Sequence, residues 1–363
     1  MKNKYLFFIL FTLFFSTTLF SKTIIDMSNN KVEIPNKVEK VFGSAPPTTF
    51  LIALYNPELL VGLNFPANNE NNQGSIEYLG KHFMSLPILG GWHGNQKGAN
   101  IEKLLSIDTQ LILAWENDFL VQKVQKSLEK MNIPIVIVDA DNLTRTPETF
   151  RFLGELFNKT SRGEELASYA QESLKYIENM TNNIPIDKQV TFYYAQGENG
   201  LQSDCTDSFH TTQFRFIKAK NIYECTQKTI VGMESLSFET ILKANPEYII
   251  VQSAQFYKEI FSNTNWQMLD AVKQKKVYLV PKVPFNWIDR PPSFMRLLGI
   301  HWLSSIMYSN YYKRNIYDEI KIFYKLFFHV DLDDSSLKNI TQGAFSRLKR
   351  RYIKYLLYFT FLY

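Results

Sequence analysis

Cysteine is almost missing from this chain: Cys205 and Cys225 are the two copies in 363 residues. They form no CxxC pair, and the sequence holds no HExxH, no GxSxG and no catalytic-lysine context, so the common hydrolase, metalloprotease and thiol-redox signatures are excluded. Histidine is also scarce, with five copies scattered at 82, 93, 210, 301 and 329. No GxxxxGK[ST] occurs and no GxGxxG opens a helix, so the glycine-rich stretch Gly90–Gly98 is not a nucleotide-phosphate loop. Charge is sparse and nearly balanced, at 21% of residues with 40 basic against 35 acidic. With 45% apolar residues the composition is globular, which rules out disorder and collagen-like repeats. Aromatic residues are abundant instead: 29 Phe, 20 Tyr and 5 Trp. The length suits two domains or one large one.

The net charge of +5 invites a nucleic-acid reading until it is located. Lys2 and Lys4 precede an apolar run from Tyr5 to Phe20, followed by the small Ser21. That is the pattern of a secretory signal peptide (1–21), since sixteen residues is short for a span of about 20. No cysteine lies near the junction, so a lipoprotein is not expected, and the mature chain is expected free in the periplasm. At the other end SRLKRRYIKYLLYFTFLY adds Arg347, Lys349, Arg350, Arg351 and Lys354 with no acid, in a tail (341–363) too short to span a bilayer. Such a segment could rest on an anionic membrane or be a poorly packed appendage. The excess charge therefore sits in the two ends. The slightly acidic body and the export signal remove nucleic acid as a partner.

Within the body, short β-branched runs alternate with helical patterns. Val38–Gly43, Leu59–Leu63, Thr109–Ala114 and Ile133–Asp139 read as buried parallel strands, with helices such as Thr48–Tyr55 and Phe119–Met131 between them. A second series follows at Gln189–Ala195, Glu247–Gln252 and Lys276–Val280. One unit occurs twice. NIEKLLSIDTQLIL (Asn100–Leu113) and SFETILKANPEYII (Ser237–Ile250) each open on a helix N-cap, place a Glu in the first turn, turn on Asp or Asn and end in an apolar strand. Two similar lobes are expected, 22–160 and 185–340. Leu166, Tyr169, Ala170, Leu174 and Ile177 share a helix face, so Ser161–Met180 reads as one long connector (161–184), stopped by Pro185. One rigid connector predicts a small lobe closure.

These stretches resemble the periplasmic substrate-binding proteins of metal-chelate ABC importers, whose cargoes include iron siderophores, haem and cobalamin. Three segments carry the likeness: IIDMSNNKVEIPNKVEKVFGSAPPTTFLIALYNPELLVGL, GGWHGNQKGANIEKLLSIDTQLILAW with its later copy, and PFNWIDRPPSFMRLLGIHWL. The DRPPS form is most similar to a subgroup that includes siderophore-binding proteins and a molybdate-binding relative. The resemblance implies two Rossmann-like α/β lobes joined by one long helix, a ligand cleft between them, no cofactor and no catalysis. It implies a permease with its ATPase as partners and a monomeric binding protein. It also implies docking on the permease through an acid on each lobe, matching Glu102 and Glu239. Both acids equally suit stabilisation of their helix starts.

Clefts of such proteins lie on the loops after strand C-termini. Four loops are thus candidates. Gly43–Thr49 offers Ser44 and the amides ahead of a helix as an anion site, or a plain helix cap. Gly90–Gly98 presents Trp92 and His93 for stacking or metal contact, and Trp115 ends a strand beside them. Gly197–Gln213 carries Ser208 and His210; His210 either touches ligand or caps the next helix. Val283–Ser293 offers Trp287 as an aromatic wall and Arg290 as a planar donor fork for catecholate, carboxylate or oxyanion, unless Asp289 neutralises it. In an exported chain Cys205 and Cys225 most simply form a disulfide, worth roughly 3 kcal/mol in the chain-entropy account. The expected cargo is a ferric siderophore. A nickel chelate held through His93 and His210 comes second and molybdate or tungstate third. A periplasmic esterase or chelatase is the alternative of a different class.

Overall fold

The computed structural model describes residues 21–93, 98–116, 119–228 and 231–345. Residues 1–20, nearly all of the segment expected to be a signal peptide (1–21), and the basic part of the expected tail, from 346 onward, lie outside them. The chain opens on a hairpin of β1 (Ser21–Ile25) and β2 (Lys31–Pro35), so regular pairing starts at the last residue assigned to the leader. Asp26 holds the hairpin turn by accepting from the backbone of Ser28 and Asn30, and fastens it to the lobe through Ile137 N–H.

The first lobe runs β3 (Val41–Gly43), α1 (Pro46–Tyr55), α2 (Ile76–Ser85), β4 (Gly90–Gly91), β5 (Gly98–Ala99), α3 (Ile101–Ser106), β6 (Leu111–Trp115), α4 (Phe119–Lys130), β7 (Ile135–Val138) and α5 (Thr146–Leu156). Its parallel sheet has the order β3-β6-β7. The strand expected at 59–63 is not regular. Pro57 opens a 3-10 turn, and only single parallel bridges, Val41–Leu60 and Leu63–Ile88, extend the sheet on that side. Next comes α6 (Thr160–Asn182), about 34 Å long at 1.5 Å per residue. It buries Leu166, Ala170 and Ile177 along one face. Gly154 of α5 and Gly163 of α6 let the two helices approach closely, because a Cβ on either would sit 2.9 Å from the other's Cα.

The second lobe runs β8 (Thr191–Ala195), β9 (Gln202–Ser203), α7 (Thr212–Phe216), β10 (Lys220–Asn221), β11 (Glu234–Ser235), α8 (Phe238–Ala244), β12 (Tyr248–Val251), α9 (Ala254–Glu259), α10 (Asp270–Lys273) and β13 (Val277–Leu279). Helices α11 (Arg296–Met307), α12 (Ile316–Phe328) and α13 (Asp334–Ile340) complete it. Its parallel sheet has the order β10-β8-β12-β13. Residues 341–345, assigned to the tail from sequence, belong to this lobe: Gly343 O accepts from Leu279 N–H, and the buried Ala344 gives its carbonyl to Trp302 Nε1 at 2.9 Å.

Strand residues alternate between two cores, as a period of two requires. Leu111, Leu113, Val136 and Val138 of one sheet and Phe192, Tyr194 and Ile250 of the other enter one shared core with α6, α11 and α12. Phe42, Ile112 and Ala114 face a separate outer cluster on the first lobe, and Tyr193, Ile249 and Val251 face one on the second. Both faces of each sheet are covered, which is why these strands are apolar without interruption. The result is two α/β lobes joined by a single long helix. Among the described residues no helix is long and apolar enough to cross a membrane.

Candidate functional site

The two sheets point the C-terminal ends of their strands at each other. From the first lobe come Ser44 after β3, Trp115 at the end of β6 and Asp139–Asp141 after β7. From the second come Gln196 after β8, Gln252 after β12 and the 281–293 segment after β13. The ends touch. Trp115 and Phe209 meet edge to face with centroids 6.1 Å apart, and Phe50 stacks on Phe285 at 3.7 Å. Arg296 Nη1 donates to Asp141 O at 2.7 Å. A loop from the first lobe, 64–75, reaches furthest. Its Asn71 Oδ1 accepts from Gln252 Nε2 at 2.8 Å, Gln73 N–H donates to Lys282 O at 2.8 Å, and Asn72 Oδ1 accepts from Asn286 N–H at 3.1 Å. A small hollow lined by Asp139, Asp141, Thr146, Thr149, Ser293 and Arg296 also lies between the lobes.

Several candidate residues have other work. Ser44 is fully buried, and its Oγ accepts from Trp115 N–H at 3.1 Å, so its side chain splices β3 to β6. The anion site expected ahead of α1 is not there. Pro46 and Pro47 carry no N–H at the first two helical positions, and Ala45 and Thr48 hydrogen-bond each other. Trp92 does not project into the cleft. The hydrogen bond from its N–H to Ser44 O turns the indole behind the sheet, 3% exposed and edge-on to Phe42. Trp287 is likewise no cleft wall: it is fully buried against Trp302, because α11 packs onto its backbone at Gly299.

Other candidates do reach the cleft. Trp115 is buried at the lobe contact, with Nε1–H donating to Asp141 Oδ1 at 2.8 Å. His93 lies at the edge of the same strand ends. Burial pushes its imidazolium down to about 4, against a weaker opposing pull from the Ser44 carbonyl. Its Nδ1 is buried with no hydrogen-bond partner among the described residues. Helix capping at 208–211 is done by Ser208, whose Oγ accepts from His210 N–H, while the His210 ring pairs with Asp289. Asp289 does not neutralise Arg290. It takes His210 on one oxygen and Arg296 on the other at 2.7 Å. Burial opposes its charge, yet His210 and Arg296 outweigh that and hold its carboxyl below the usual range. Arg290 is paired all the same: Nη2 reaches both oxygens of Asp204 at 2.8 and 2.6 Å. Burial drives the Asp141 carboxyl upward, with Arg296 and the Trp115 hydrogen bond pulling it back.

Cys205 and Cys225 are joined in a disulfide. Glu102 and Glu239 are exposed in the first turns of α3 and α8, beside the N-caps Asn100 and Ser237, which accept from Lys103 N–H and Thr240 N–H. The short hairpins β4–β5 and β9–β11 lead into these helices, one in each lobe.

Sequence reasoning missed Asp204, Gln196, Asp141, Arg296 and the 64–75 loop. A signal existed for the last: Pro66-Ala-Asn-Asn-Glu-Asn-Asn-Gln-Gly74 is a turn-rich run too polar to be core. Asp139 and Asp141 stood at the end of an apolar strand, where cleft residues belong. Nothing in the sequence paired Asp204 with Arg290, 86 positions away.

The family model described as periplasmic binding protein matches residues 93–284, more than half of the chain. An ABC transporter solute binding protein from Sulfurospirillum deleyianum is 42% identical, with a TM-score of 0.83 over 88% of this chain and 98% of that one. A periplasmic solute binding protein from Veillonella parvula shares the fold at 20% identity, with a TM-score of 0.77 over 90% of this chain and all of that one. The molybdate-binding protein MolA of Haemophilus influenzae is 24% identical over 318 residues, 80% of this chain and 86% of that one. With two lobes, one connecting helix and a cleft between facing strand ends, this chain belongs to the periplasmic binding protein family, as a solute-binding component of an ABC transporter.

Proposed function

We propose that this chain captures a compact metal complex of neutral or positive charge between its lobes and hands it to a membrane permease driven by an ATPase. The reading rests chiefly on charge compensation in the cleft. The guanidiniums of Arg290 and Arg296 each hold a carboxylate, Asp204 and Asp289. Arg145 likewise holds Asp139. An anionic ferric siderophore, the cargo the family resemblance favours, needs uncompensated cations and is less well supported. His93 stays neutral at pH 7, and its Nδ1 has no partner among the described residues, which suits an open position on a borderline metal such as nickel.

A bare ion is not the expected cargo. Among the described residues, the one group of three His, Cys, Asp or Glu ligand atoms close enough to share a metal is Cys205, Cys225 and Glu234, and its cysteines are bonded to each other. The complex would bring most of its own ligands. Molybdate is the second reading, supported by the 24% identity to a molybdate-binding protein across most of both chains. No covalent chemistry is assigned to the chain.

Calorimetry and thermal melting with nickel–histidine, ferric catecholate and sodium molybdate separate these readings. Nickel–histidine is expected to raise the melting temperature and to quench Trp115, and His93→Ala is expected to weaken binding. A response to molybdate alone would install the second reading. No response to any of the three would remove the metal-complex reading altogether.

A further inference from the structure

We infer that Asp204 is a specificity-determining residue: it occupies Arg290 as a resident anion and so closes the cleft to small oxyanions. The inference rests on the proposed reading of a neutral or cationic cargo and names the feature that would enforce it. Arg290 follows β13 on the 281–293 segment, one residue from Asp289, whose partner Arg296 bridges the lobes. A guanidinium placed there has the fork geometry that recognises carboxylate, phosphate or a metal oxyanion.

All three of its nitrogens are engaged. Nε donates to Gln196 Oε1, Nη1 to Val231 O at 2.8 Å, and Nη2 to both Asp204 oxygens. Asp204 is wholly buried, whereas the Arg290 side chain keeps 11% of its surface exposed, so the pair meets solvent by its cationic edge.

The carboxylate is held as firmly as the guanidinium. Met233 N–H donates to Asp204 Oδ1 at 3.0 Å, and Gln196 Nε2 donates to Oδ2. Asn221 Nδ2 holds the Asp204 carbonyl at 2.8 Å, and the next residue, Cys205, is bonded to Cys225. Gly232 closes over the pair at φ +63°, where a Cβ would stand 1.8 Å from Asp204 Oδ1 and 3.2 Å from Arg290 Nη2. Only glycine fits there, by backbone angle and by space. The Tyr194 hydroxyl is buried with no partner among the described residues. Three segments (residues 196, 204–205 and 231–233) thus converge to keep Arg290 neutralised, and an external anion must displace a carboxylate that is already desolvated and fully bonded.

The test is calorimetry with sodium molybdate and sodium sulfate on wild type, Asp204→Asn and Asp204→Asn/Arg290→Gln at a series of matched ionic strengths. Asp204→Asn keeps the shape and removes the charge. It is expected to bind molybdate at least about tenfold more tightly than wild type, with a gain that fades as salt rises and vanishes in the double variant. Should Asp204→Asn fail to fold, Asp204→Ser removes the same charge with a smaller side chain, and the same gain is expected from it. Equal molybdate affinity in wild type and folded variants overturns the inference. So does a wild-type molybdate affinity that Arg290→Gln abolishes, since Arg290 would then be open to anions despite Asp204. Failure of the proposed function looks different: wild type ignores nickel–histidine whatever the variants do with oxyanions.

Discussion

The two lobes share a unit and differ in what they attach to it. In each, a two-residue hairpin leads to a capped short helix, a left-handed turn residue and an interior strand of the sheet. The turn residues are Asp108 at φ +55° and Asn245 at φ +42°, and β6 and β12 begin 137 positions apart. The strand ends then diverge. In the first lobe β3 and β6 finish in a neutral splice, with Ser44 bonded to the Trp115 amide and two prolines opening α1, and β7 leads to one ion pair, Asp139 with the partly exposed Arg145. The second finishes in buried ion pairs, His210–Asp289–Arg296 and Asp204–Arg290. Repetition therefore set the scaffold and the outer acids, while the unrepeated loops set the chemistry of the cleft.

The sharpest way to break this comparison is at the repeated acids. If Glu102 and Glu239 dock equivalently on a permease, Glu102→Lys together with Glu239→Lys should reduce uptake by cells carrying the transporter to background. Each single reversal should fall between, with cargo affinity in calorimetry unchanged. A loss of cargo affinity would make the two acids structural instead.

At the divergent ends, the second lobe should be far more sensitive. Arg296 is 2% exposed and donates to Ile288 O, Asp141 O, Phe209 O and Asp289. Arg296→Met leaves one oxygen of the buried Asp289 carboxylate without its cation, with His210 as its remaining partner, and should cost about 3–5 kcal/mol in urea unfolding. Ser44→Ala removes one neutral acceptor and should cost about 1 kcal/mol.

Acid tests a different contrast, between the cleft and the connector. His93 at the cleft and His301 behind α6, fully buried and bonded to Tyr312 Oη at 3.0 Å, are both pushed down to about 4 by burial. The unfolded chain protonates these histidines near pH 6.5 and the folded chain resists until about pH 4, so the folded form binds fewer protons in that window. Stability is then lost as pH falls, by about 1.4 kcal/mol per pH unit for each such histidine. His301→Phe should flatten the urea-stability profile between pH 6.5 and 4. An unchanged slope would mean that His301 is not held neutral.

The smallest effect concerns the shared turn. Asp108→Ala and Asn245→Ala remove the short polar side chain that lets these residues tolerate the left-handed region and should each cost about 1 kcal/mol. The loss should be larger at Asn245, whose side chain also bonds the backbone N–H and carboxylate of Asp270.

Much of the fold was legible because it depends on local periodicity. The apolar runs at 109–114 and 247–252 became β6 and β12, and the helical face of Leu166, Ala170 and Ile177 became the buried side of α6. The cleft was less legible. Trp92 and Trp287 looked exposed among glycines and prolines, but loop composition does not say which way an indole turns, and neighbouring backbone turned both inward. Arg290 read as either a ligand-facing cation or a partner of its neighbour Asp289, because its actual partner, Asp204, lies in another loop. The strand expected at 59–63 was shortened by Pro57, and residues 341–345 joined the second lobe because the edge strand β13 had an unpaired amide to offer.

By itself, the sequence determined the class of chain. Hydrophobic period, caps and the repeated unit are local, so they specify two α/β lobes with a helical joint wherever they occur. The tertiary structure alone decided the electrostatics of the cleft. Which cation meets which carboxylate depends on separations of 79 and 86 positions closing to hydrogen-bond distance, and a buried charge counts for little until its partner is known.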